Sequence, residues 1–270
     1  MKVIYGIGRL KSPFKNSVLA IGVFDGLHIG HQELIKKTIE RAKAIGGTSI
    51  VLTFSPHPVH VLHPEIHLPL IVSLPYRLKL IEELGVDISL VIRFTKQFSK
   101  LSSEKFIKEY LVKFLAAKEV FVGDDFRFGQ NRSGTLDYFK EAAKIYGFKV
   151  HGVHPVGGSQ HKISSTDIRN LISEGKLDEA KQFLGRPVSI MGVVKKGEQR
   201  GRILGFPTAN IEWHDEILPP LGVYAVGVEI DKKVFRGMAN LGRRPTFKAA
   251  KSPVNIEVHI FDFNKNIYGK

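Results

Sequence analysis

Two histidines, His28 and His31, stand three residues apart in the run Asp25-Gly26-Leu27-His28-Ile29-Gly30-His31. On the first turn of a helix that spacing puts both imidazoles on one face, beside unpaired backbone N–H groups and the positive helix end, an arrangement suited to phosphate. Gly30 removes a side chain where a nucleotide would press against the backbone. Two imidazoles donating hydrogen bonds to an α-phosphate would stabilise the charge that gathers as another oxygen attacks and pyrophosphate leaves, with no covalent enzyme intermediate. Alone, the pair is equally a packed loop with two incidental histidines. A second basic segment, Lys162-Ile163-Ser164-Ser165-Thr166-Asp167-Ile168-Arg169, offers hydroxyls that cap a helix and donate to phosphate, with Arg169 one turn in as a fork for phosphate oxygens. An ordinary cap with a surface arginine explains the same residues.

Further along, Gly192, Gly197, Gly201 and Gly205 precede Phe206-Pro207-Thr208-Ala209-Asn210, with basic residues between them. A glycine-rich basic loop can wrap phosphates, although no Walker pattern occurs and β-turns would use the same glycines. Thr208 and Asn210, two apart on an extended segment, face one side and present neutral oxygens to a Mg²⁺ that still holds waters and phosphate. Glu257, among Asn255-Ile256 and Val258-His259-Ile260, is a carboxylate on an apolar strand, either a general base for phosphoryl transfer or an outward residue on an alternating pattern. His57, His60, His63 and His67 invite a zinc reading, which Pro58, Pro64 and Pro69 oppose by interrupting any continuous helix. That loop is expected to border a ligand instead.

The elements that must position these groups follow from periodicity. From Val18 the chain alternates short β-branched runs with amphipathic stretches, as in crossover units on a parallel sheet. Strands are expected at Val18 to Phe24, Thr48 to Phe54, Ile88 to Phe94, Glu119 to Val122 and Phe148 to His154. Helices are expected at Gln32 to Ile45, Tyr76 to Leu84, Ser103 to Leu115, Leu136 to Tyr146, Asp167 to Glu174 and Leu177 to Leu184. After Gly185-Arg186-Pro187 the texture changes to short strands (Val188 to Val194, Val223 to Ile230, Val234 to Leu241, Val254 to Phe263), the middle two joined by a hairpin through Asp231-Lys232, which argues a small antiparallel barrel. The fold class is therefore α/β: a Rossmann-like nucleotide-binding domain over 1–184, then a barrel over 185–270. The helix opening after Val18 to Phe24 puts His28 and His31 at the carboxyl edge of the sheet, where such folds bind ligands.

Length and composition agree. The chain has 270 residues, 43% hydrophobic and 24% charged, with 18 Phe and no Cys. Two folded domains are expected, without disulfides or thiolate chemistry. No apolar stretch reaches signal or membrane length, so the expected address is cytoplasmic. The net charge of +14 would suit nucleic acid, a membrane surface or small polyanions. It is spread as +8 over 1–184 and +6 over 185–270 without a basic tail. A basic solvated surface is the expected reading of that spread. No oligomeric state is legible.

With these pieces in order, the chain resembles the bacterial bifunctional riboflavin kinase/FAD synthetase family. The likeness rests on Gly22 to His31 (G-V-F-D-G-L-H-I-G-H, a signature shared with class I aminoacyl-tRNA synthetases), Thr53 to Pro58, Gly123 to Gly129 and Ile163 to Arg169. In the second half it rests on Leu184 to Val188, Gly205 to Asn210, Asn240 to Phe247 and the strand bearing Glu257. The resemblance implies that the first domain joins FMN to the AMP part of ATP, giving FAD and pyrophosphate. It implies that Gly22, Phe24, Asp25, Gly30, Ser164, Ser165 and Thr166 meet the nucleotide, with His28, His31 and Arg169 acting on its phosphates and Asp125, Phe126 and Phe128 near the flavin. It implies that the second domain is a riboflavin kinase in which Gly201 and Gly205 meet nucleotide, Thr208 and Asn210 hold Mg²⁺, and Glu257 deprotonates the ribityl hydroxyl. Small-molecule partners, with neither nucleic acid nor membrane, are what the resemblance implies as well. Family members continue through a further strand and helix where this sequence stops at Lys270, so an incomplete barrel is expected, with adenylyltransferase activity alone as the alternative. An RNA-binding or tRNA-charging protein is the remoter alternative, but no anticodon-reading module is evident.

Overall fold

A computed structural model describes residues 1–9, 14–154, 163–197, 206–243 and 254–270. The chain enters as β1 (Lys2–Tyr5) and β2 (Ser17–Ile21), then alternates α1 (Ile29–Ala44), β3 (Thr48–Ser55), α2 (Pro58–Leu62), α3 (Leu74–Glu83) and β4 (Ile88–Arg93). After α4 (Lys96–Ser99), α5 (Ser103–Lys105) runs into a π-helix, Phe106–Phe114, followed by β5 (Ala117–Gly123), α6 (Leu136–Tyr146), β6 (Lys149–Val153), α7 (Ser165–Ser173) and α8 (Leu177–Leu184). The six strands pair in parallel in the order β1-β4-β3-β2-β5-β6.

β2 shows why this sheet must be central. All five of its residues are buried. Val18 and Ala20 pack into one apolar cluster with Leu34, Ile35 and Ile39 of α1 and Ile168 and Ile172 of α7. Leu19 and Ile21 pack into the other, with Phe106, Ile107 and Leu111 of the π-helix and Phe139 of α6. A strand covered on both faces reads as a continuous apolar run, which is what Val18 to Ile21 is. The chain leaves β2 for β3 on one side and later returns to β5 on the other, so the crevice at the carboxyl end of β2 is the reversal point of the sheet.

The second sheet is antiparallel, in the order β7 (Val193–Lys195), β8 (Thr208–Glu212), β11 (Val254–Ile260), β10 (Lys233–Arg243) and β9 (Gly222–Ile230). Ala239, Leu241, Ile256, Val258 and Ile260 are the buried members of its core, joined by Tyr224, Val226 and Phe235. The sheet curls. Val194 exchanges backbone hydrogen bonds with Gly269 and Lys270 beside β7, and the Lys270 ammonium reaches Asp231 in the turn between β9 and β10, 3.1 Å away. Elements from the two ends of the strand order are thus linked, as barrel-like closure requires.

Four sequence expectations are corrected. β1 was not anticipated, because only Ile4 of its four residues is buried. The expected helix from Ser103 widens into i→i+5 turns, which set the Phe106 and Tyr110 rings face to face at 5.4 Å. β8, expected only as an extended segment, is a full strand paired with β7 and β11. The strand expected at Val188 to Val194 shrinks to β7, because Val188 packs instead onto the α1 and α7 side of the parallel sheet. The two units also touch where Leu70 bridges Asp215 and Ile217 through backbone hydrogen bonds of 3.0 and 2.6 Å, and where Lys79 meets Glu229 at 2.7 Å.

Two glycines at positive φ differ both in backbone conformation and in what a side chain would meet. Gly147 ends α6 at φ +75° with open space where a Cβ would stand, whereas at Gly129, φ +72°, a Cβ would overlap Ser103. Gly147→Ala is expected to cost about 1 kcal/mol, the left-handed backbone penalty alone. Gly129→Ala is expected to cost at least about 3 kcal/mol, because φ 72° with ψ 177° is a conformation essentially confined to glycine and overpacking against Ser103 adds to that strain. Urea unfolding of the two variants measures the difference.

Candidate active site

The loop between β2 and α1 is built around Asp25, which is 2% exposed. Its carboxylate accepts from the Ile71 N–H at 3.0 Å and the Val72 N–H at 3.3 Å, and pairs with the Arg169 guanidinium. Arg77, also buried, lies 4.0 Å from the same carboxylate and donates to the Val23 carbonyl at 2.8 Å. Phe24, Gly26 and Leu27 all adopt positive φ, of 55°, 80° and 42°. The chain is thus wound tightly enough to bring His28 to the cap of α1. A Cβ on Gly26 would press on Ile71, so glycine is required there on two counts.

His28 caps α1, its Nδ1 accepting from the His31 N–H at 3.4 Å. The two rings stack at 3.6 Å, and Phe24 meets the His31 ring edge-on at 5.3 Å. The His28 ring lies against the Gly30 α-carbon, where a Cβ would approach within 3.3 Å. Gly30 therefore makes room for an imidazole as well as for any ligand. Burial lowers the His28 pKa to about 4, with Asp25 opposing the shift and Arg186 adding to it. Burial, with His28 and Arg77 nearby, holds His31 well below its ordinary range. Both rings are therefore neutral at pH 7. Because His28 Nδ1 accepts, its proton sits on Nε2 and is available to donate. His31 Nδ1 is buried with no hydrogen-bond partner among the described residues.

These rings open onto a cleft of about 280 Å³ between the ends of β2, β5 and β6 and the start of α7. Among the described residues its walls include Gly22, Phe24, His28, Gly30, His31, Asp125, Phe126, Ser164 and Ser165, all singled out from the sequence. Ser164 caps α7 in a reciprocal box with Asp167, and the Ser165 hydroxyl donates to the Asp25 carbonyl at 3.0 Å. Asp124, Val153, His154 and Ile163 also line the cleft and were not singled out; Asp124 pairs with His154. Asp124 stands in the Gly123 to Gly129 run, one residue before Asp125.

Four expected residues fall elsewhere. Arg169 is buried at 9% exposure, with Nη2 on Asp25 and Nε donating to the Pro69 carbonyl at 2.8 Å, so its fork supports the loop instead of facing the cleft. Asp25 is likewise beneath the site. Phe128 sits in the aromatic core, 4.8 Å from Phe139. Thr166 is exposed and off the cleft walls. In the histidine segment, His57 caps α2, His60 meets the Leu68 carbonyl at 2.6 Å and His63 meets Glu65. No group of three or more metal-ligating side chains gathers among the described residues.

The antiparallel sheet carries a second constellation. Register pairs Asn210 with Glu257 and Glu257 with Asn240, and pairs Thr208 with His259. Directly opposed residues share a face, and Lys195 pairs with Asn210 from the edge strand. Lys195, Asn210, Glu257, Asn240, Thr208 and His259 therefore form a polar face opposite the Ile256, Val258 and Ile260 core. The apolar neighbours that made Glu257 look isolated belong to the other face. Asn255 donates to Glu257 Oε1 at 2.7 Å and to Asn210 Oδ1 at 3.4 Å. Gly192 and Gly197 are close-approach glycines: a Cβ would overlap the Glu212 carbonyl in the first case and the Asn210 amide in the second. Gly201 and Gly205 lie outside the described residues.

Comparison with known proteins assigns the two halves separately. Residues 10–167 match the FAD synthetase family and residues 184–270 the riboflavin kinase family. A Buchnera aphidicola protein named bifunctional riboflavin kinase/FMN adenylyltransferase is 40% identical over 99% of this chain and 86% of its own. The chain belongs to the bifunctional riboflavin kinase/FMN adenylyltransferase family. The Escherichia coli K12 protein of that name is 36% identical over 100% of this chain and 86% of its own. A crystal structure titled as a macrolide-efflux protein from Streptococcus pneumoniae superposes with a TM-score of 0.84 at 34% identity, covering 100% of this chain and 88% of its own. That title describes the other protein. In this family member no helix among the described residues is long and apolar enough to cross a membrane.

Two measurements probe the loop. Asp25→Ala strands Arg169 in the interior and is expected to cost about 3–5 kcal/mol by denaturant unfolding, whereas adding Arg169→Ala to it costs little more. For His28, the folded pKa near 4 lies below the ordinary 6.5. Between these values the unfolded chain takes up a proton that the folded chain does not, so stability falls as pH drops from 6.5 towards 4. His28→Asn, which keeps a capping acceptor, is expected to flatten that part of the stability profile.

Proposed function

We infer that this chain makes FAD from riboflavin in two ATP-dependent steps, phosphorylating riboflavin to FMN and then adenylylating FMN with release of pyrophosphate. We assign the second step to residues 1–184 and the first to 185–270. The observation that carries this reading is one chain with two separate constellations, each within the stretch matched to the corresponding activity.

In adenylyl transfer an FMN phosphate oxygen attacks the α-phosphorus of ATP, the bond to the β-phosphate oxygen breaks, and pyrophosphate departs. The nucleophile is already an anion, so no base is required. What the protein must supply is stabilisation of negative charge on the α-phosphate. His28 and His31, neutral and preorganised by their stack, donate to that phosphate beside the α1 N-terminus. The free N–H groups of the first turn of α7, beside Ser164 and Ser165, receive the departing phosphates, while the two hydroxyls stay on Asp167 and the Asp25 carbonyl. Asp125 and Phe126 contact the flavin side of the cleft. Arg169 and Asp25 act from beneath by fixing the loop.

In the kinase step a neutral ribityl hydroxyl must lose its proton as it attacks the γ-phosphate. Glu257 takes that proton, and the Asn255 amide on Oε1 orients its carboxylate. Thr208 and Asn210 present hard oxygens on the same face as Glu257. That donor set fits Mg²⁺, which when bound would neutralise nucleotide phosphate charge. Both steps are placed in the cytoplasm and use small-molecule substrates, without nucleic acid or membrane.

Purified protein with Mg²⁺-ATP and either FMN or riboflavin, followed by chromatography of the flavins, tests both halves. The native chain is expected to give FAD from either. His31→Ala is expected to lower FAD formation from FMN by about a hundredfold while riboflavin phosphorylation continues. Glu257→Gln is expected to do the reverse, by a similar factor. Unchanged turnover in either variant removes that residue from its step. Tight RNA binding with no flavin conversion would sink the whole reading.

A further inference from the structure

Arg186 stands in the turn after α8, inside the stretch matched as riboflavin kinase, yet its guanidinium reaches into the other unit. Nη2 donates to the Gly26 carbonyl at 2.7 Å, and Nη1 lies 3.3 Å from the carbonyls of Leu27 and Leu184. The guanidinium carbon is 5.9 Å from the centre of the Tyr76 ring. Gln32 of α1 donates its Nε2 to the same Leu27 and Leu184 carbonyls, at 2.9 Å each. The Leu27 carbonyl is therefore held from both sides, and His28 is the next residue. A Cβ on Gly185 would come within 3.1 Å of Ile29, so the turn carrying Arg186 lies directly against the start of α1.

Gly26 and Leu27 are both held at positive φ, a conformation that costs energy for leucine and needs outside support. Arginine suits the task because one planar fork can serve several carbonyls at fixed angles, while a lysine ammonium acts as a point donor on a flexible stem. Its charge also adds to the burial that keeps His28 neutral.

We propose that Arg186 is a positioning residue for adenylyl transfer: from a turn within the kinase-matched stretch it fixes the Gly26–Leu27 backbone, and so sets how His28 and His31 face the cleft. This rests on the assignment of the cleft to adenylylation. Arg186 touches no reacting atom. Its loss is felt as misdirected histidines, which lowers kcat for FMN adenylylation more than it raises KM for FMN. The kinase face, reached through β8 and β11, is unaffected.

The test uses the full chain with Arg186→Ala, Arg186→Lys and Arg186→Gln, assayed separately for FMN adenylylation and riboflavin phosphorylation, with melting curves for each. Arg186→Ala is expected to lower adenylylation kcat by about tenfold to a hundredfold with riboflavin phosphorylation within about twofold of native, and Arg186→Lys to recover part of the loss. Should the alanine variant fail to fold, the same split is expected in the lysine and glutamine variants. Adenylylation within about twofold of native in the variants, or parallel loss of both activities, overturns the proposal. His31→Ala run alongside separates the two levels. Full adenylylation there removes the cleft from the reaction and the proposal with it, whereas loss there with full activity in Arg186→Ala overturns the role of Arg186 alone.

Discussion

The buried carboxylate of Asp25 is the constraint on which the nucleotide half depends. A carboxylate at 2% exposure is tolerable only if its charge and lone pairs are met, and here Arg169, Arg77 and the Ile71 and Val72 amides meet them. Those partners come from three places: the segment before α3, α3 itself and α7. Satisfying one side chain therefore draws the β2 loop, the first long crossover and the last helical pair to a single point. The three positive-φ residues around Asp25 persist because this point over-determines them. The histidines are then presented at the cap of α1, tied to each other by the His28–His31 hydrogen bond.

That arrangement explains the electrostatics of the cleft. Arg169 and Arg77 share the one Asp25 carboxylate, so the point beneath the site keeps a net positive charge that disfavours a protonated imidazole. Burial then decides the protonation of the imidazoles, and both stay neutral. Neutral donors suit a step in which charge migrates from nucleophile to leaving group across the α-phosphate, because they stabilise the transition state without holding a trianionic product too tightly.

Much of this was legible in the sequence, and the failures have physical causes. The strands and helices of the first half follow from short continuous apolar runs and from apolar periods of 3.6, and both register burial, which is what built the two clusters around β2. Residue type alone does not say which way a side chain turns. Arg169 and Phe128 lie in motifs that line a cleft, but each was drawn inward, one by a buried carboxylate and the other by an aromatic core. Asp124 and His154 stand just past the ends of β5 and β6, and a pair formed between two such ends leaves no spacing signal along the chain. On the antiparallel sheet, alternation placed Thr208 and Asn210 on one face, but only strand register could bring Asn240 and Glu257 beside them.

The glycines of the second half show the same limit from the opposite direction. Gly192 and Gly197 read as members of a phosphate-wrapping series, yet each is glycine because another strand's backbone or amide occupies the position of its Cβ. Close approach by a neighbour and close approach by a ligand impose the same requirement on the backbone, namely the absence of a side chain. Sequence therefore records that something comes near without saying what. In the kinase half the neighbour is Asn210 itself, so the glycine that resembled a phosphate contact instead packs against an amide that faces Glu257 across the sheet.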